Sequence, residues 1–337
     1  MIVSVKPYLI PLLSMLGLLT PAFAAPGPTT QRVPAANGWN ASTFDYERPE
    51  ELTIERTTPT EAQVNFRTRP PQTAEEPAEL NVDAAVAKPR RVGDLDIVRL
   101  RFRHKEKETV TALLCTPAGK SGPFPLVIAV HGLNSNKAQV CAQVAPALAK
   151  QGFAVLAPDM PMHGERAGRP RALFEQRDFV GALRRHRQSV LDVRQSIDVA
   201  ETLPEVDVSR GVVLVGYSMG SWINSIAGAA DVRVRAMVLM VGGAHDLSQA
   251  RIFPQLSAAD ARLALANFAP RPVLMLNAKR DAIVTPEMAE RLFAGANEPK
   301  ELRWYDTGHL LPAKAYDDAA KWIAKTWSAL NVAAVKP

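Results

Sequence analysis

From about Val92 onward, apolar and polar positions fall into segments of regular period. Val92 to Arg103 and Thr109 to Cys115 alternate apolar with polar residues, which predicts two antiparallel strands, and Leu126 to Val130 is an unbroken apolar run, which predicts a strand buried on both faces. Helical periodicity then runs from about Lys137 to Gln151, followed by a strand at Phe153 to Ala157. A long helix from about Phe179 to Leu203 leads to the strand Val212 to Val215, a helix after Ser218 and the strand Ala236 to Val241. A short helix opened by Ser257, with Asp260 three residues on in capping-box spacing, precedes the strand Val273 to Asn277. A helix with Pro286 in its first turn, the strand Leu302 to Tyr305 and a helix from about Ala313 to Leu330 complete the pattern. Such alternation predicts a mostly parallel sheet covered by helices on both faces, with its functional site at the carboxyl ends of the strands.

The preceding residues read differently. Residues 25–91 are rich in Pro, Thr, Glu and Ala, as in Arg69-Pro70-Pro71 and Glu75-Glu76-Pro77, and are expected to form a partly irregular extension to a catalytic domain spanning 92–337. Residues 1–24 carry Lys6, an apolar run from Tyr8 to Leu19 and the small-x-small sequence Ala22-Phe23-Ala24, which predicts a signal peptide cleaved after Ala24 and export to the periplasm or medium. The run is broken by Pro11 and is too short to span a bilayer, so no membrane span is expected in the mature protein.

With 337 residues, 47% of them apolar, the chain can build one large core, and a net charge of +6 spread along it gives nucleic-acid binding little support. The run Arg184-Arg185-His186-Arg187 reads as the solvated face of a helix. The two cysteines, Cys115 at a strand end and Cys141 within a helix, are either a disulfide or two buried thiols; neither has a C-x-x-C or histidine neighbour that would suggest metal or redox chemistry.

Four short motifs carry chemistry. Gly216-Tyr217-Ser218-Met219-Gly220 stands between an apolar strand and a helix, where a strained turn exposes a serine nucleophile and small residues two before and two after it let backbones pass. His131-Gly132-Leu133-Asn134 follows an apolar strand, the place from which a loop N–H, here assigned to Leu133, joins that of Met219 in an oxyanion hole. His131 itself is expected to bond loop backbone. Asn277-Ala278-Lys279-Arg280-Asp281 ends a strand with an acid, and Asp306-Thr307-Gly308-His309 follows the last strand with a base. The order Ser218, Asp281, His309 suits a catalytic triad. Asp246, after the strand ending at Val241, is a second position for the acid; Asp281 is favoured because it closes a clean apolar strand and leaves room for one helix and one strand before His309.

With these motifs the chain resembles the α/β-hydrolase superfamily, and within it the dienelactone-hydrolase and prolyl-oligopeptidase-like branch, over roughly Val92 to Leu330. Asp159-Met160-Pro161-Met162-His163-Gly164 resembles that branch's D-x-x-x-H-G loop, in which Asp159 and His163 are expected to hold the loop by hydrogen bonds; Ser221 stands where a further glycine is common. The resemblance implies an α/β-hydrolase fold with a mostly parallel eight-stranded sheet and a serine hydrolase acting through an acyl-enzyme on a small-molecule ester. It implies no metal and no organic cofactor. Only Pro161 to Arg177 and Gly242 to Asn267 could form a lid, so an open site is expected. Thioester, lactone and sugar-ester hydrolysis fit the same machinery. Peptidase action is less favoured, because relatives that cut peptides carry a larger N-terminal domain. A catalytically inactive binding protein is opposed by the complete set of triad residues.

Overall fold

The computed structural model describes residues 39–48, 52–65, 87–103, 109–166, 168, 178–244 and 258–333. The expected signal peptide, much of the extension and Asp246 lie outside them. Eleven strands form one sheet among the described residues: β1 (Thr53–Thr57), β2 (Arg90–Val92), β3 (Leu95–Arg103), β4 (Val110–Pro117), β5 (Phe124–Val130), β6 (Ala154–Pro158), β7 (Val206–Asp207), β8 (Val212–Tyr217), β9 (Val234–Met240), β10 (Val273–Ala278) and β11 (Lys300–Tyr305). The helices are α1 (Glu61–Val64), α2 (Lys137–Lys150), α3 (Phe179–Ala200), α4 (Met219–Ala230), α5 (Ala261–Ala266), α6 (Pro286–Gly295) and α7 (Ala313–Ala333), with a 3-10 turn at Ala41–Phe44.

The eight expected strands lie in the order β3-β4-β6-β5-β8-β9-β10-β11, parallel from β6 onward and antiparallel at β3 and β4. The other three are β1 and β2, which pair antiparallel with β3, and the short β7 beside β5. The period-two alternation sorts side chains onto two faces. Leu126, Ile128 and Val130 of β5 join the core under α3, α4 and α5, whereas Val127 and Ala129 join the core under α2 and α7. A sheet buried on both faces explains the continuous apolar runs of its central strands. Among the described residues, no helix is long and apolar enough to cross a membrane.

Two local readings change. The cap of α5 is Asp260 itself, whose carboxylate accepts from the Arg262 N–H, and Ser257 lies outside the described residues. The Arg184–Arg187 run is solvated only in part: His186 is buried, and Arg187 donates to the carbonyls of Thr43 and Asp45 at 2.7 and 2.8 Å. The partner responsible is the extension. Trp39 and Phe44 are buried in the core on the α3 side of the sheet, Trp39 Nε1 donates to the Ala258 carbonyl at 3.1 Å, and the Tyr46 hydroxyl donates to Asp198 at 2.5 Å.

Candidate active site

β8 delivers Ser218 at the carboxyl edge of the sheet, in a turn with φ 54° and ψ −111°. This is a sparsely populated conformation for a non-glycine residue, costing about 1–3 kcal/mol, and it persists because the surroundings dictate it. The Ser218 N–H donates to the Met240 carbonyl at 2.8 Å. A Cβ on Gly216 would stand 2.4 Å from the Gly220 carbonyl oxygen, and one on Gly220 would stand 2.2 Å from that of Val130, so both positions must be glycine. Ser221 stitches the turn to β9, because its hydroxyl lies 2.8 Å from the carbonyls of both Gly216 and Met240.

The ends of β10 and β11 bring the other two residues to this serine. His309 Nε2 lies 3.1 Å from Ser218 Oγ, and its Nδ1–H donates to Asp281 Oδ2 at 2.7 Å. The second oxygen of Asp281 accepts from the N–H groups of Ile283 and Val284 at 2.8 and 2.9 Å. The carboxylate is therefore buried but fully occupied, which fixes its orientation toward the imidazole. Tyr217 adds a brace, its hydroxyl donating to the His309 carbonyl at 2.7 Å and accepting from the Leu311 N–H at 3.2 Å.

Leu133, beyond β5, and Met219, the first residue of α4, line the same cavity as Ser218 and His309. Neither N–H donates to a described residue, so both remain available to an oxyanion. The loop holding Leu133 is fixed by two buried histidines. His131 Nδ1–H donates to the Gly132 carbonyl at 2.8 Å, and its Nε2 accepts from the Met160 N–H at 3.0 Å. His163 donates to the Pro161 carbonyl and accepts from the Asn134 N–H at 3.2 Å. Burial, aided by the neighbouring His163, pushes His131 down to about 4, so it is neutral and suited to this role rather than to that of a base.

Beneath that loop lies an ionic network that sequence reasoning missed. Asp159 accepts from the Thr111 hydroxyl, the Lys137 N–H and the Glu165 N–H, and pairs with the buried Lys137 ammonium, which also meets Glu165 at 2.7 Å. Glu165 continues to Arg99, and Arg99 and Arg101 share Glu55 of β1. Burial opposes ionisation of Asp159 and Glu165, but Lys137, joined at Glu165 by Arg99, outweighs it and holds both carboxyls below their usual range. Arg99 and Arg101 share one face of β3 with Leu95 and Ile97 in the period-two pattern, a signal of inward-facing charge that could have been found.

The cavity has a volume of about 650 Å³ and a mainly apolar wall that includes Leu133, Leu183, Met219, Trp222, Val284 and Met288. Ile283 and Leu310, beside the acid and the base, stand exposed at its edge. Among the described residues no cluster of three or more His, Cys, Asp or Glu side chains could hold a metal ion.

The strand order and the serine–histidine–carboxylate line at the carboxyl edge define an α/β-hydrolase. The sequence profile of the dienelactone hydrolase family matches residues 110–330, and the chain belongs to that family, as a hydrolase of the carboxylesterase type. No curated protein matches it in sequence. Among solved structures, acetyl xylan esterase 1 from Thermoanaerobacterium sp. JW/SL YS485 is similar with a TM-score of 0.57 at 19% identity, over 71% of this chain and 86% of that one. An acetyl xylan esterase from Paenibacillus sp. R4 matches with a TM-score of 0.57 at 18% identity, over 85% and 98%. A cold-adapted esterase from an Arctic intertidal metagenomic library matches with a TM-score of 0.57 at 20% identity, over 72% and 98%. At such identities the likeness speaks to the fold.

Proposed function

We propose that this protein is an exported serine carboxylesterase that cleaves small or medium acyl esters through a Ser218–His309–Asp281 triad and an acyl-enzyme. The observation that carries the reading is the unbroken hydrogen-bonded line from the Ile283 and Val284 N–H groups through Asp281 and His309 to the strained Ser218. In this mechanism His309 Nε2 takes the Ser218 proton as Oγ attacks the ester carbonyl, and Asp281 holds the tautomer and stabilises the imidazolium. The N–H groups of Leu133 and Met219 receive the oxyanion. The imidazolium protonates the leaving alcohol, and a water activated by the same histidine hydrolyses the acyl-enzyme.

The apolar cavity favours an acyl or alkyl group over a charged one. The two acetyl xylan esterases among the structural neighbours make acetylated sugars one substrate class to assay. The decisive experiment runs acyl p-nitrophenyl esters, acetylated sugars and aminoacyl amides on the mature protein beside Ser218→Ala, with fluorophosphonate labelling of both. Labelling and ester turnover in the parent, both absent from Ser218→Ala, are expected. A parent that neither labels nor turns over any ester would mark a binding protein on a hydrolase fold, and faster turnover of amides than esters would make it a peptidase. Export rests on residues 1–24, and N-terminal sequencing of secreted protein is expected to begin at Ala25.

A further inference from the structure

His186 projects from α3 into the wall of the cavity onto which Ser218 and His309 open, with only 4% of its surface exposed. Its ring lies flat on Trp222, with centroids 3.9 Å apart and planes at 19°, and Phe44 meets it edge-on at 6.5 Å. These contacts fix the plane of the ring, yet its Nε2 is buried with no hydrogen-bond partner among the described residues. His131 and His163, also buried, each have both ring nitrogens bonded. Burial pushes His186 down to about 3, so the ring is neutral and offers one N–H and one acceptor.

Buried polar groups in folded proteins find partners, and leaving one without a bond is destabilising. Here the apolar contacts hold a hydrogen-bonding ring beside the reaction space without satisfying it. Trp222 lies one helical turn beyond Ser218 on α4, about 6 Å along the axis, and helical side chains lean back toward the N-terminus, here toward the nucleophile. Leu183, Met219, Ala259 and Ala261 line the same cavity, and Asp260 between the two alanines is already paired with Arg262.

We propose that His186 is a specificity-determining residue that hydrogen-bonds a hydroxyl or carbonyl group carried by the substrate several bonds from the scissile ester, beyond an apolar stretch. The preferred substrates are then esters with an ω-hydroxy or ω-oxo arm, and simple alkyl esters are poorer substrates. A site built to bond a hydroxyl discriminates against the analogue that lacks it, whereas a purely apolar pocket barely distinguishes the two or prefers the apolar one. The inference rests on the serine-esterase reading above.

The test compares two matched pairs: p-nitrophenyl hexanoate with p-nitrophenyl 6-hydroxyhexanoate, and hexyl butanoate with 6-hydroxyhexyl butanoate. The first pair places the hydroxyl on the acyl arm and the second on the alcohol arm. In the unaltered enzyme kcat/KM is expected to be about tenfold or more higher for the hydroxylated member of one pair. His186→Phe, which keeps an aromatic ring on Trp222, should bring that ratio to about one or below while plain-ester turnover persists, and His186→Gln should restore part of it. A ratio at or below one in both pairs for the unaltered enzyme overturns the inference, as does a ratio that His186→Phe leaves unchanged. Plain-ester hydrolysis that Ser218→Ala abolishes, together with ratios of one, sinks the His186 assignment alone. Hydrolysis that survives Ser218→Ala sinks the esterase mechanism and this inference with it.

Discussion

Tyr217 donates its hydroxyl proton to the backbone carbonyl of His309 at 2.7 Å, so the residue just before the serine nucleophile braces the loop that carries the histidine. The same oxygen accepts from the Leu311 N–H, so both ends of the histidine turn are tied to the elbow. Tyr217→Phe removes both bonds, and the one the hydroxyl accepts from Tyr316, and leaves the ring in place. Each bond is worth about 1 kcal/mol, and the freed loop should spend less time with Nε2 facing Oγ. A kcat about tenfold lower with KM nearly unchanged is expected in steady-state ester hydrolysis. An unchanged kcat would show that packing alone positions His309.

Asp281 is built so that an amide cannot replace it. Its Oδ1 receives two N–H groups and its Oδ2 a third from His309, so an asparagine must turn its oxygen toward Ile283 and Val284 and its NH₂ toward the imidazole. Nδ1 must then accept, and the N–H moves to Nε2, facing Ser218. Asp281→Asn should lower kcat by up to about 10⁴-fold with the fold intact. Asp246→Asn should cost about tenfold or less. The reverse ranking in two folded variants would reassign the acid to Asp246.

Stability should also report the buried imidazoles. Burial depresses His131 to about 4 and His186 to about 3, against about 6.5 for an exposed histidine in the unfolded chain. Between those values the unfolded chain binds protons that the folded chain refuses. Stability from these groups is therefore full above pH ~6.5 and is lost as the pH falls toward 4 and below. The depressed carboxyls of Asp159 and Glu165 contribute in the same direction only below about 4. Urea midpoints are expected to be nearly level from pH 7 to 8 and to drop steadily from 6.5 to 4.5, with a shallower drop in His186→Phe. A midpoint flat across the lower range would mean that these rings protonate without cost.

The extension contributes to stability through Glu55, the carboxylate that Arg99 and Arg101 share on the inner side of β1. Glu55→Gln keeps the shape and removes the charge between two buried guanidiniums, which should cost about 3 kcal/mol in chemical denaturation. A loss below about 0.5 kcal/mol would place the pair in effectively solvated surroundings. A chain begun at Arg91 also lacks Trp39 and Phe44 and should be recovered mainly as insoluble protein.

What was legible in the sequence is what is local. The elbow glycines, the acid closing β10 and the histidine after β11 are each marked by a neighbouring strand, and the hydrogen-bonded line joins them as their order suggested. What escaped depends on residues far apart in the chain. The polar run around His186 has the look of a solvated helix face, but Phe44 and Trp222, distant in sequence, pack on the His186 ring. The network from Glu55 through Arg99, Glu165 and Lys137 to Asp159 couples the extension to the loop under the oxyanion donors; the period of β3 marks Arg99 and Arg101 as inward-facing but does not name their partners. Composition marked 25–91 as partly irregular because it is rich in Pro, Thr, Glu and Ala, and it could not show that the segments at 39–48 and 52–65 use a few aromatic and charged anchors to join the domain.

The cysteines admit a direct prediction. Cys115 on β4 and Cys141 on α2 are both buried, with sulfurs 3.1 Å apart and unbonded covalently. The hydrogen bond that Cys115 donates to Cys141, together with burial, pushes the Cys115 thiol well above its usual range, so little thiolate exists to react. Iodoacetamide at pH 8 should therefore leave both sulfurs unmodified in the native protein and alkylate two per chain after unfolding without reductant. Labelling of the native protein at the rate of a free thiol would mean that α2 lifts from the sheet often, which would loosen the Lys137 and Asp159 anchor beneath the oxyanion loop. No labelling after unfolding would show that the pair is a disulfide and would overturn the free-thiol reading.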